Sequence, residues 1–151
     1  LGCAASIGAV LAAAPQTTVD ALDSFGRELG LAFQAVDDVL GIWGDPAVTG
    51  KAAGNDLRER KKSMPVAVVL TGGSSGAEDL AAIYDRPGDL SDDDVARATG
   101  IIDAAGGRER TEAEAADRLE SALASLDALE IPAEVDTEIR GLARFVVERS
   151  F

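Results

Sequence analysis

The chain has 151 residues, enough for one domain with a real core. Its net charge of −13 and pI near 4.3 argue against nucleic acids and anionic membrane surfaces as partners. It has no histidine and a single cysteine, which excludes histidine-based triads, histidine metal ligands and any intrachain disulfide.

Aromatic residues make up only 4% against 46% hydrophobic, which disfavours a β-sandwich and suits an all-α bundle closed by small side chains. The first stretch, LGCAASIGAVLAAA (Leu1–Ala14), predicts a buried helix. It lacks the initiator Met and basic flank of a secretory leader, and the missing Met sets the expectation that the sequence starts part-way along a longer protein. Cys3 is expected to pack in that core, and a lone cysteine fits a cytoplasmic protein. No run reaches the roughly 20 apolar residues of a membrane span.

Pro15 ends the first helix, and Thr17 or Thr18 is placed to cap a second one over about Val19–Trp43. Between Leu29 and Trp43 that helix is apolar nearly all round, the mark of burial. Asp37 and Asp38 nevertheless sit in its middle. Adjacent carboxylates repel and are costly to bury unpaired, so they must meet water, cations or a metal. Gln34, Asp37, Asp38 and Gly41 share one stripe by helical spacing, a polar seam in an apolar rod.

The pattern breaks at Gly44-Asp45-Pro46, and a loop with Gly50, Lys51 and Gly54 extends to Asn55. Asp56 is placed to cap a third helix running toward Thr71, which Pro65 can split with Ser63 capping the second piece. Arg58, Arg60, Lys61 and Lys62 form the densest basic run of an acidic chain. Carboxylate oxygens suit magnesium, which binds one or two carboxylates plus phosphate oxygens, and neighbouring lysines neutralise phosphate. A paired aspartate on a helix is by itself commonly a solvated patch. Here the apolar surroundings, with Lys51 and Asp56 close behind, point instead to a magnesium–diphosphate site.

Beyond a Gly72–Gly76 turn, short helices are expected over Ala77–Tyr84 and from Ser91 to Ala105. Asp92, Asp93 and Asp94 read as favourable first-turn charges rather than a metal site. An amphipathic helix is expected over Arg108–Leu129 with Ala116, Leu119, Ala122, Leu123, Leu126 and Leu129 inward. A last helix over Ala133–Glu148 is expected to pack Val135, Ile139, Leu142, Phe145 and Val146. No strand pattern, repeat or long linker is evident, so residues 1–151 read as one all-α domain.

The motifs Phe33-Gln34, Asp37-Asp38, Gly44-Asp45, Gly50-Lys51, Gly54-Asn55-Asp56-Leu57-Arg58 and Lys61-Lys62 with Pro65 occur in a fixed order. In order and spacing they resemble the second aspartate-rich region of the trans-polyprenyl diphosphate synthases, such as the farnesyl and geranylgeranyl diphosphate synthases. Leu1-Gly2-Cys3-Ala4-Ala5 is similar to the helix after that family's Lys-Thr motif. The resemblance implies the C-terminal half of an isoprenoid synthase helical bundle. It assigns Asp37, Asp38 and Asp56 to magnesium, with Lys51, Gln34 and Lys61 as catalytic residues at the diphosphate or the reacting allylic end. Phe33 and Arg58 join them in substrate binding. The implied reaction is head-to-tail condensation of an allylic diphosphate with isopentenyl diphosphate, in a homodimer.

The family motif DDxxD here reads Asp37-Asp38-Val39-Leu40-Gly41, so the third carboxylate is missing, and no first aspartate-rich motif lies in the sequence. The chain alone is therefore expected to be inactive in elongation. Two alternatives stay open on sequence: a non-catalytic or split-subunit partner of a prenyl synthase, and a terpene cyclase of the same fold. Product chain length is not encoded in this stretch.

Overall fold

A computed structural model describes residues 1–50, 52–73 and 76–147, the side chains of residues 48 and 49 excepted. Among the described residues there are nine helices and no strand, in agreement with the composition. They are α1 (Gly2–Leu11), α2 (Gln16–Trp43), α3 (Pro46–Thr49), α4 (Asn55–Arg58), α5 (Met64–Thr71), α6 (Ala77–Tyr84), α7 (Asp92–Ala104), α8 (Gly107–Leu126) and α9 (Ala133–Val147). None is long and apolar enough to cross a membrane. The described residues pack as two compact units, residues 1–34 with 114–147, and residues 35–113.

In the first unit the thiol and much of α1 differ from expectation. Only Ser6 is buried on α1, while Ile7, Val10, Leu11 and Cys3 are exposed. The helix meets α2 along one side only, where Gly26 lets it approach: a side chain at 26 would meet the Leu1 carbonyl oxygen at 2.8 Å. The α2 helix begins earlier than the threonines suggest. The amides of Thr18 and Val19 donate to the Pro15 carbonyl at 2.9 and 3.2 Å, so Thr17 and Thr18 lie inside the first turn rather than capping it. Leu31 and Phe33 of α2 are exposed, against the all-round burial read from the sequence.

The unit's core is Phe25 and Ala32 of α2, Ala115, Leu119, Ala122, Leu123 and Leu126 of α8, and Ala143 and Val147 of α9. Ala116 is exposed where Ala115 was not expected to be buried, and Leu129 lies beyond the helix. On α9, Leu142 and Phe145 stand 63% and 72% exposed, and Val135 is exposed as well. Arg140 explains the rotation. Its guanidinium donates to the Leu123 carbonyl at 3.0 Å and to Asp127 at 2.8 Å, which turns the Arg140, Ala143 and Val147 stripe inward. Glu148, expected as the last helical residue, lies outside the described residues.

The second unit closes around Ile42, Leu57, Val66, Val69, Leu80, Ile83, Leu90, Val95, Ala98 and Ile102, with Trp43 and Tyr84 packed against them. The segment expected as loop contains α3, whose first turn is capped by Asp45 accepting from the Ala47 amide at 2.8 Å. Asp56 does not cap. It sits inside α4, whose N-cap is Gly54 in the left-handed conformation (φ 72°), and the Gly54 amide donates to the Ile42 carbonyl at 3.0 Å. Ser63 precedes α5 in the N-cap position with no side-chain capping bond, and proline fills the first turn. Ser91 and Asp94 form the capping box of α7, as the first-turn reading required. Residues 74 and 75 of the expected Gly72–Gly76 turn lie outside the described residues.

Candidate functional site

The helical repeat of α2 separates the two adjacent aspartates. Val36, Val39 and Ile42 take the buried side; Asp38, one position before Val39, goes in with them at 6% exposure, and Asp37 stays exposed. Burying Asp38 demands partners, and it has them. The Lys61 ammonium donates to Asp38 Oδ1 at 2.9 Å and the Met64 amide donates to Oδ2 at 2.8 Å. Lys61 Nζ is also 3.0 Å from Oδ2 of the buried Asp56. That second contact is an ion pair to a carboxylate oxygen buried from solvent.

The backbone that delivers Lys61 is unusual. After α4 the chain passes through Arg60 at φ 52°, a left-handed conformation that a side chain disfavours. Its guanidinium offsets the cost by donating to the carbonyls of Arg86 at 2.8 Å and Gly88 at 2.6 Å. The reversal lets the Lys61 amide reach the Asp56 carbonyl at 2.8 Å, and the Tyr84 hydroxyl donates to the Lys61 carbonyl at 3.3 Å. Burial pulls the Lys61 ammonium down, but its contacts to Asp38 and Asp56 outweigh that and hold it above the ordinary lysine range. Burial first, and then the charge of Asp56, push the Tyr84 phenol up to about 12, with Arg60 pulling the other way.

Asp37, Asp38, Asp56 and Lys61 thus belong to one unit, three of them in a single cluster. The other residues singled out lie elsewhere. Lys51 is outside the described residues. Arg58 is tied to Asp92 at 2.7 Å, and Lys62 is exposed. Phe33 and Gln34 belong to the first unit, where Phe33 lines an apolar groove of about 780 Å³ with Leu29, Leu31, Leu142 and Val146. Arg60, Met64 and Tyr84 were not foreseen. Tyr84 offered a faint signal as the sole tyrosine of the chain; nothing local marks Arg60 as left-handed or the Met64 amide as a carboxylate donor.

No group of three or more acidic or cysteine side chains among the described residues is arranged to hold a metal. Magnesium does not need one, because it binds through one or two carboxylates together with phosphate oxygens and water. The exposed Asp37 meets that need. Lys61 lies between the two buried carboxylates, and the Asp37 carboxylate stays exposed next to Asp38. The donor set fits magnesium in this sense.

The model of the polyprenyl synthetase family matches residues 1–102, the stretch that holds the whole cluster. The chain belongs to the polyprenyl synthetase family. Among its relatives in that family, it is 48% identical over 132 residues to the geranylgeranyl diphosphate synthase of Mycobacterium tuberculosis, covering 87% of this chain and 38% of that protein. It is 41% identical to the (2E,6E)-farnesyl diphosphate synthase of Mycobacterium bovis, covering 99% of this chain and 42% of that protein. Among solved polyprenyl synthetases, that of Streptomyces coelicolor superposes with a TM-score of 0.91 at 46% identity, over 97% of this chain and 45% of that one. The geranylgeranyl pyrophosphate synthase of Corynebacterium glutamicum, solved with isoprenyl diphosphate and magnesium, gives 0.82 at 38% identity, over 95% and 41%. The chain therefore spans less than half the length of these relatives.

Proposed function

We propose that this chain is the part of a polyprenyl diphosphate synthase that grips substrate diphosphate through magnesium at its second aspartate-rich motif. The complete cytoplasmic, dimeric protein would join an allylic diphosphate to isopentenyl diphosphate. The observation that carries the reading is the Lys61 ammonium set between Asp38 and Asp56 beside the exposed Asp37.

Asp37 presents the carboxylate that would hold the metal, and Asp38 and Asp56 add negative charge behind it. Bound there, magnesium would supply positive charge to the diphosphate oxygens. An ammonium has three donors, and Lys61 directs two toward carboxylates while its side chain remains 39% exposed, which leaves a donor for a diphosphate oxygen. A fixed cation aimed at a departing diphosphate stabilises the charge that develops as the allylic C–O bond breaks. Asp38 and the Arg60 turn keep that cation in place, so no reorganisation is needed when charge appears. In the first unit, the apolar lining around Phe33 suits a hydrocarbon chain.

Calorimetric titration of the chain with inorganic diphosphate tests this reading. Binding that requires magnesium and disappears in Asp37→Asn is the expected result. Binding that is indifferent to both metal and Asp37 would refute it.

A further inference from the structure

The turn that delivers Lys61 is held from one side by the end of α6 and the connection that leads to α7. Three hydrogen bonds join them. The Tyr84 hydroxyl donates to the Lys61 carbonyl at 3.3 Å, and Arg60 Nη2 donates to the carbonyls of Arg86 at 2.8 Å and Gly88 at 2.6 Å. The connection is itself pinned. The Arg86 side chain pairs with Asp94 of the α7 capping box, and Asp92, the first residue of α7, pairs with Arg58 at 2.7 Å. Ala13 and Arg60 are the only non-glycine residues with positive φ among the described residues. Glycine or asparagine would adopt the φ of 52° at position 60 more easily than arginine does. The arginine thus carries a conformational cost that its side-chain contacts offset. Both of its hydrogen bonds leave from one guanidinium nitrogen, and both end on backbone carbonyls, so they fix the path of one segment against that of another.

We propose that Arg60 is a positioning residue for diphosphate binding: its guanidinium latches the Lys61 turn to the α6–α7 connection and so fixes where the Lys61 ammonium stands. The proposal rests on the diphosphate-site reading for the use of that ammonium, but the latch itself does not. The backbone and the side chain of Arg60 then have separable effects. The positive φ reverses the chain, and glycine can do that equally well. The hold on residues 86 and 88 keeps the reversed segment in one place, and glycine cannot supply it. Lys61 meets carboxylates at 2.9 and 3.0 Å while keeping a donor for a ligand, so a small displacement of its backbone misdirects the ammonium. None of residues 85–91 belongs to the aspartate-rich region, yet through Arg60 they set the position of its cation.

Four variants test this: Arg60→Ala, Arg60→Gly, Gly88→Ala and the pair Arg60→Gly/Gly88→Ala. The readouts are the urea midpoint, the 15N signal of the Lys61 ammonium, and calorimetric binding of inorganic diphosphate with magnesium. Arg60→Ala should lower the midpoint, because it keeps the left-handed backbone and loses the latch. Arg60→Gly should recover most of that midpoint, yet move the Lys61 signal and weaken diphosphate binding by about tenfold. Gly88 has a φ of 82°, so Gly88→Ala displaces a carbonyl that Arg60 holds. It should move the Lys61 signal in the unaltered chain and leave it in place in the Arg60→Gly background. If Arg60→Ala fails to fold while Arg60→Gly folds and binds weakly, the proposal is supported. Arg60→Gly with the binding and the Lys61 signal of the unaltered chain overturns it, since the backbone alone would then position Lys61. Failure of Arg60→Gly to fold, or an equal effect of Gly88→Ala on the Lys61 signal in both backgrounds, overturns it too. Absence of diphosphate binding by the unaltered chain would defeat the functional reading and leave the Lys61 signals to decide the latch.

Discussion

Asp38 accepts from Lys61 on one carboxylate oxygen, at 2.9 Å, and the amide that opens α5 serves the other. The aspartate therefore joins three segments: α2, the turn after α4, and the start of α5. Asp38→Ala should destabilise the second unit by about 2 kcal/mol, because it leaves a backbone donor unpaired and Lys61 with one partner fewer. Asp38→Asn should cost less, since an amide oxygen can still accept. Urea unfolding of the two variants in parallel checks the order. Equal losses would show that charge, rather than acceptor count, sets the effect.

The phenol of Tyr84 gives a pH prediction with a defined sign. Its folded-state pKa is raised to about 12 from the ordinary 10.0, first by burial and then by the charge of Asp56. The folded state thus keeps a proton that the unfolded chain releases sooner. Stability from this group is fully present below pH 10 and is lost as the pH rises toward 12. Tyr84 is the sole tyrosine, so its absorbance titration is unambiguous. The midpoint should lie near 12 in the folded chain and move down in Asp56→Asn.

At the acid end, the capping box of α7 should dominate locally. The Ser91 hydroxyl, then the Ser91 amide, hold the Asp94 carboxyl below its ordinary value against the opposing effect of burial, and Arg86 adds to the lowering. A depressed carboxylate contributes stability above its unfolded pKa and loses it as the pH falls through the folded one. Ser91→Ala should cost about 1 kcal/mol at neutral pH and flatten the loss of stability below pH 4. Thermal melts between pH 3 and 7 would show it.

Asp37→Asn should separate chemistry from folding. The side chain is exposed, so the urea midpoint should move little, within about 0.5 kcal/mol of the unaltered chain. Magnesium-dependent diphosphate binding should fall by at least about tenfold. A large stability change would place Asp37 in the fold rather than at the ligand.

Elongation assays on the chain by itself, with an allylic diphosphate and isopentenyl diphosphate, should yield no product. The sequence holds one aspartate-rich motif where the family reaction uses two. Product formation would refute this expectation directly.

Helix content and the positions of α2, α6 and α7 were legible because their apolar spacing, prolines and capping residues act within a few residues of each other. The pairing of Asp38 with Lys61 was legible only as a demand, since a buried carboxylate needs a cation and one lay nearby. The rotation of α9 was not readable, because it depends on Arg140 finding a carbonyl on α8. Nor was the placement of Asp56. Its spacing after Gly54 suits a cap, and only the gap at Gly41 reveals that it turns toward α2 instead.

Trp43, with the Arg108 guanidinium 5.4 Å above its ring, is the single tryptophan of the chain, and it sits in the second unit together with the only tyrosine. Ultraviolet fluorescence consequently watches residues 35–113 and is blind to the first unit, whose described aromatic side chains are all phenylalanine. A melt followed by emission therefore samples the second unit alone, while one followed by far-ultraviolet circular dichroism samples the helices of both. Coincident curves would show that the two units unfold as one cooperative body; separated curves would give each its own midpoint, without a label having been attached.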